Sequence, residues 1–254
     1  KQRSGQLPPF RPPSPATGMV RHDRTRRQAV IDSPCSGAAE GPSRLSGKAE
    51  PPREMSSSMP YAPAGLRVGL LGGSFDPPHS GHQHISRRAL RSFGLDQVWW
   101  LVSPGNPLKP DAPAAMERRM AACRALIKDP RIRVTDIEAR LGTVYTAETL
   151  RRLRARYPGV RFVWLMGADN LAGIHLWEDW QNIFAQMPVG VLARPGDQLA
   201  AGLSPAAEVF RRHRLPCTAA RLLPCCPPPA WVLLSGPMVE VSSTELRRDG
   251  AWSR

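Results

Sequence analysis

From Leu66 onward, six short apolar runs alternate with stretches of helical periodicity, and this alternation limits the fold more than any single residue does. The strand-like runs are 66–71, 97–102 (QVWWLV), 131–135 (RIRVT), 161–166 (RFVWLM), 189–193 (VGVLA) and 231–234 (WVLL). Helical patterns occupy 82–93, 114–128, 146–156, about 178–186, 205–213 and 243–248. The runs 66–71 and 161–166 are apolar almost throughout, as strands buried on both faces must be. Strands alternating with helices predict right-handed crossovers and an α/β fold, a doubly wound parallel sheet of Rossmann-like type. Ligands in such sheets bind beyond the carboxyl ends of the strands. The residues just after each run are therefore the first place to look for chemistry.

Composition separates a tail from this pattern. Residues 1–60 hold 10 Pro, 5 Gly and 9 Ser, with Phe10 the only aromatic. Such a stretch cannot bury enough apolar surface to offset its ordering entropy, so it is expected to be disordered. It carries ten Lys and Arg against five Asp and Glu, which leaves +9 of the chain's +14 for residues 61–254. Those residues make one ordinary domain. The chain does not begin with Met, and Met55 and Met59 sit just before the first run. The tail reads as an upstream extension, an artificial remnant or a genuine appendage. An Arg-rich leader can also be a transit peptide, but no amphipathic pattern supports that here.

The basic balance suits polyanions: nucleotides, nucleic acid or an acidic membrane surface. Against nucleic acid, the basic residues form no stripe interleaved with aromatics. No apolar run approaches the ~18 residues of a spanning helix, so no membrane partner is expected. Five cysteines (Cys35, Cys123, Cys217, Cys225 and Cys226) without a regular framework point to a reducing cytoplasm. Cys217, Cys225 and Cys226 with His213 fit no ordinary zinc spacing, and prolines crowd them, so a plain loop is expected. Whether the chain forms a homo-oligomer is left open.

The first run is followed by Gly72-Gly73-Ser74-Phe75-Asp76-Pro77-Pro78-His79-Ser80-Gly81-His82. Two glycines would let the backbone approach a ligand at the strand end. A helix starting directly afterwards offers free N–H groups to phosphate. His79 and His82, three apart around Gly81, can both aim imidazole donors at the same phosphate. Further along, Lys109 lies in a Pro-rich loop after the second run, where a mobile cation can reach a polyphosphate. Asp169 follows a buried strand and Gly167, which suits ribose hydroxyls. Ser242-Ser243-Thr244 is a helix-cap signal. Arg247, one turn on, would share a face with Ser243 and Thr244, so hydroxyls and guanidinium could converge on one anion.

With these strings in view, the chain resembles the nucleotidyltransferases with the HxGH signature and, more closely, the bacterial nicotinate-nucleotide adenylyltransferases. The resemblance runs from about Leu66 to Arg247. It includes Ser103-Pro104-Gly105-Asn106-Pro107-Leu108-Lys109, Val144-Tyr145-Thr146-Ala147-Glu148-Thr149-Leu150, Met166-Gly167-Ala168-Asp169-Asn170-Leu171 with Trp177 and Trp180, Ala193-Arg194-Pro195-Gly196, and Val241 to Arg247. It implies transfer of AMP from ATP, with Mg²⁺, to nicotinate mononucleotide. His79, His82, Lys109 and Arg247 would then do the charge work. Gly72, Gly73, Ser74, Phe75, Gly81, Gly167, Asp169, Arg194, Ser243 and Thr244 would line the ATP site. Tyr145 and Thr146 would hold the acceptor, with Trp177 stacked on its pyridine ring and Trp180 in the core. No all-protein metal cage is expected. The family often has a histidine where this chain has Leu108, so no third imidazole is expected at the phosphates. Many relatives also continue past the last motif with a further helix, so a more open sheet edge is expected here. A phosphopantetheine adenylyltransferase is the nearest alternative, although its usual motif has Thr in place of His79; a nucleic-acid-binding protein is the alternative from another class.

Overall fold

The computed structural model describes residues 59–105, 112–193, 197–236, 243–248, 250 and 252. The expected tail lies outside the described residues up to position 58. Its last two positions take part in the packing: Met59 touches the core, and the Pro60 carbonyl accepts from Tyr157 Oη at 2.8 Å.

Six strands form the sheet: β1 (Arg67–Gly73), β2 (Gln97–Val102), β3 (Ile132–Thr135), β4 (Arg161–Gly167), β5 (Val189–Ala193) and β6 (Trp231–Ser235). Their order is β3-β2-β1-β4-β5-β6, and every pairing is parallel. The chain steps outward from β1 to β3, then returns to start β4 on the other side of β1. The ends of β1 and β4 therefore flank the point where the winding reverses, the usual ligand crevice of such sheets.

Nine α-helices are described: α1 (Ser80–Ser92), α2 (Met116–Leu126), α3 (Ile137–Leu141), α4 (Thr146–Arg156), α5 (Ala168–Gly173), α6 (Trp180–Gln186), α7 (Gln198–Gly202), α8 (Pro205–Val209) and α9 (Ser243–Arg248). Because side chains alternate across a strand, each strand feeds two cores. Val68, Leu70, Trp99, Trp164 and Val191 pack with residues of α4, α5 and α6. Leu71, Val98, Trp100, Val163 and Leu192 pack with residues of α1 and α2.

The differences from the sequence reading are local. α1 starts at Ser80 rather than 82, because His79 caps it. The pattern over 205–213 breaks after Val209 into α8 and a 3₁₀ turn, Arg211–His213. α3, α5 and α7 have five or six residues each, too short for apolar periodicity to reveal them. The loop expected around the late cysteines is a 3₁₀ helix, Cys217–Cys225.

Candidate active site

The turn after β1 is tightly specified. Phe75 has φ 47°, an unusual conformation for a bulky residue. Its ring is 1% exposed, stacked on Trp100 at 4.9 Å and lying 4.7 Å from the His82 ring, so packing holds the backbone there. The His79 backbone N–H donates to His82 Nδ1 at 3.2 Å, and the two imidazoles sit 3.9 Å apart. With Nδ1 accepting, the proton of the neutral ring resides on Nε2. Burial, then the neighbouring His79, pushes the His82 pKa down to about 3. At neutral pH His82 is thus an uncharged Nε2–H donor. Ser86 steadies the same turn of helix: its Oγ donates to the His82 carbonyl at 2.8 Å and accepts from Trp100 Nε1 at 2.7 Å.

Gly72 has a packing reason besides the expected one. A Cβ there would lie 2.5 Å from Trp164 Cη2, so packing against β4 already demands glycine. At Gly73 a Cβ would sit 3.4 Å from the Phe75 ring, an ordinary contact. Gly81 is buried within α1.

α9 closes on the turn from outside. Ser243 Oγ donates to the Pro77 carbonyl at 2.9 Å, and Arg247 donates to the Asp76 carbonyl and, at 3.2 Å, to Thr244 Oγ1. Ser243 and Arg247 thus reach the turn's own carbonyls, and among the described residues Thr244 reaches the turn only through Arg247. Trp252 Nε1 donates to Asp76 Oδ1 at 2.7 Å, and the Arg118 guanidinium lies 4.2 Å above the Trp252 ring. Asp76, Trp252, Ser86 and Trp100 were not legible as site residues. Only Asp76, inside the histidine string, carried any signal.

A second cluster lies at the ends of β3 and β4. Tyr145 precedes α4 and Thr146 opens it, and no side chain caps that end, so its first-turn N–H groups face outward as donors. Val144 and Tyr145 are about half exposed, at 53% and 48%. The Tyr145 carbonyl accepts from the backbone N–H and Oγ1 of Thr149, whose hydroxyl pairs with Thr143 Oγ1 at 2.8 Å. The Thr143 N–H donates to the Glu138 carbonyl at 3.0 Å; with Thr149 donating to Tyr145, the Thr143 hydroxyl proton goes to Thr149 Oγ1, and the Glu138 carbonyl is its more distant alternative at 3.4 Å. The buried Glu138 carboxyl is pushed up to about 7 by desolvation. Across the reversal point, Asp169 is exposed in the first turn of α5, and a Cβ on Gly167 would lie 2.3 Å from its Oδ1. Glycine is what lets that carboxylate fold back over the strand end. Trp177 is half-buried against the core, while Trp180 packs edge-on to Phe184 and Phe210. Lys109 and Arg194 lie outside the described residues.

Residues 70–249 match the cytidylyltransferase-like family. The probable nicotinate-nucleotide adenylyltransferase of Ruegeria pomeroyi is 57% identical over 78% of this chain and 93% of its own. That of Cereibacter sphaeroides strain ATCC 17025 is 62% identical over 73% of this chain and 98% of its own. The chain belongs to the bacterial nicotinate-nucleotide adenylyltransferases. The fold extends to distant relatives. Plasmodium falciparum nicotinic acid mononucleotide adenylyltransferase, solved in complex with NaAD, has a TM-score of 0.56 at 16% identity, over 72% of this chain and 83% of that one.

In this adenylyltransferase the late cysteines bond apart from one another. Cys217 donates to the Leu233 carbonyl, Cys226 to the Leu222 carbonyl, and Cys225 accepts from Arg161. Among the described residues no three His, Cys, Asp or Glu side chains stand close enough to hold an ion. The described donor set does not fit a resident metal. No described helix is long and apolar enough to cross a membrane.

Proposed function

We propose that this enzyme transfers the AMP unit of ATP to nicotinate mononucleotide, giving nicotinate adenine dinucleotide and pyrophosphate, a step of NAD biosynthesis. A phosphate oxygen of the acceptor attacks the α-phosphorus of ATP, and the bond from that phosphorus to the bridging oxygen of the leaving pyrophosphate breaks. The attacking oxygen is ionised near neutral pH, so no general base is needed. Catalysis then amounts to alignment of two phosphates and stabilisation of developing charge. The observation that carries this reading is His82, held as a neutral Nε2–H donor in a packed turn at the reversal point of the sheet.

His79, Arg247 and Lys109 join His82 on the phosphates, and the 72–75 segment with Gly81, Ser243, Thr244 and Arg194 surrounds the nucleotide. Asp169, exposed in the first turn of α5, suits the ribose hydroxyls. ATP-using nucleotidyltransferases usually require a divalent ion. Mg²⁺ would come with ATP and supply charge neutralisation at the phosphates. Tyr145, Thr146 and Trp177 form the acceptor side. The uncapped first turn of α4 favours a carboxylate and offers nothing to an amide's NH₂. The free thiols of Cys123, Cys217, Cys225 and Cys226 suit a reducing cytoplasm.

Pyrophosphate release from ATP, measured with nicotinate mononucleotide, nicotinamide mononucleotide and phosphopantetheine in competition, tests the assignment. Nicotinate mononucleotide should be preferred over its amide by about 4 kcal/mol, on the order of a thousandfold. Preference for phosphopantetheine would overturn the assignment. Equal use of acid and amide would remove the carboxylate pocket alone.

A further inference from the structure

Arg119 is the only charged side chain among the largest fully buried ones described, at 1% exposure. It lies on α2, outside every motif discussed above. Its Nε donates to the Ala114 carbonyl at 2.6 Å, and one terminal nitrogen donates to the carbonyls of Ser74 at 2.7 Å and Ser103 at 2.8 Å. These three carbonyls belong to three separate segments. Ser74 begins the turn that leads to His79 and His82. Ser103 follows β2 and starts the β2–α2 connection, and Ala114 ends it.

We infer that Arg119 is a positioning residue for adenylyl transfer, its single guanidinium setting the spacing between the histidine turn and both stems of the β2–α2 connection. The inference rests on the phosphate role proposed above for that turn. Carbonyls just beyond the last ladder bond have no strand partner, and when buried they need a donor. A guanidinium supplies several donors in a rigid planar fork, which an ammonium on a flexible stem does not reproduce. Asp76 completes the arrangement. Burial lowers the Arg119 pKa, and the buried Asp76 carboxylate offsets part of that effect; it also accepts the Ala114 N–H at 3.4 Å, so Ala114 is held through both its backbone groups. The Ser103 N–H meanwhile donates to the Gly73 carbonyl at 3.0 Å, extending the β1–β2 ladder to the level of the clamp.

Packing alone gives no reason for arginine here. Met120 and Cys123 already anchor α2 in the core, and a buried cation is costlier than an apolar residue of similar volume. The three carbonyls account for its presence.

The test compares Arg119→Lys, Arg119→Met and Arg119→Ala in the full chain, by steady-state pyrophosphate release and thermal melting. In Arg119→Met, kcat should fall about 100-fold, the scale of misplacing reacting groups by an ångström, while KM for nicotinate mononucleotide stays within about twofold. Arg119→Lys should be intermediate. Millimolar guanidinium should restore part of the kcat of Arg119→Ala and leave the unsubstituted enzyme unchanged. A folded Arg119→Met with unaltered kcat would overturn the inference. So would activity losses that merely track the folded fraction, without rescue. Failure of all three variants to fold would make Arg119 a folding determinant and likewise overturn it. If the unsubstituted enzyme released no pyrophosphate with nicotinate mononucleotide, the fault would lie with the functional assignment instead.

Discussion

Behind the turn that carries His79 and His82, the ties are charged and reach far along the chain: Arg119 to Ser74, Arg247 to the Asp76 carbonyl and Trp252 to the Asp76 carboxylate. Behind Tyr145 and Thr146 they are local: Thr143 bonds to Thr149, Thr149 to the Tyr145 carbonyl, and the one carboxylate in that turn, Glu148, pairs with Arg151 and Arg152 of the same helix. The first region is proposed to meet a triphosphate, where charge develops during reaction and an ångström of error is expensive. The second is proposed to meet a pyridine ring and one carboxylate, which need shape and a few donors. Long-range charge-assisted hydrogen bonds suit a site that must not move, and short local ties suit a pocket built from a single helix start.

The sharpest way to break this contrast is His82→Ala. Loss of one preorganised donor should lower kcat by about 100- to 1000-fold in a pyrophosphate-release assay, with little change in KM for nicotinate mononucleotide. If instead the acceptor KM rose and kcat held, the two regions would have exchanged roles.

A smaller effect concerns Glu138, which is 5% exposed. Its native carboxyl titrates at about 7, against 4.5 for an unperturbed one. Between those values the unfolded chain has released the proton that the native chain keeps, so stability falls as pH rises through this window. The full loss is on the order of 3 kcal/mol. Glu138→Gln should therefore raise Tm at pH 8 and change it little at pH 4. A Tm difference independent of pH would show that the acceptor side also relies on a paired charge.

Thr149→Val should cost about 1–2 kcal/mol in urea unfolding, because it leaves the buried Thr143 hydroxyl only the longer contact to the Glu138 carbonyl, at 3.4 Å. It should raise the acceptor KM several-fold and spare that for ATP. The double variant Thr143→Val/Thr149→Val should lose less than the sum of the single changes. An equal rise in both KM values would join the two regions into one unit. The smallest effect is expected where neither region is touched: we propose that residues 1–58 are dispensable, so their removal should leave turnover and Tm nearly unchanged.

How legible each part was follows from the range of the interaction responsible. The strands were read almost to the residue, since each run had to be apolar to sit between two helix layers. The histidine string was visible because its pattern is local, and so was the start of α4 at Thr146. α3, α5 and α7 were not read, being shorter than two turns. The packing need for Gly72 was not legible, because nothing local indicates that Trp164, more than ninety positions away, fills the space above it.

The amino-acid sequence by itself determined the parallel sheet, the reversal point and the identity of most proposed site residues, because burial patterns and turn chemistry act over a few positions. Only the tertiary structure decided which nitrogen of His82 carries the proton, that Arg247 and Trp252 fasten onto Asp76, and that Arg119 bridges Ser74, Ser103 and Ala114. Each of those depends on backbone carbonyls or side chains brought together from distant segments, and carbonyls are the same at every position of a sequence. A donor's partner among them is settled by folding alone.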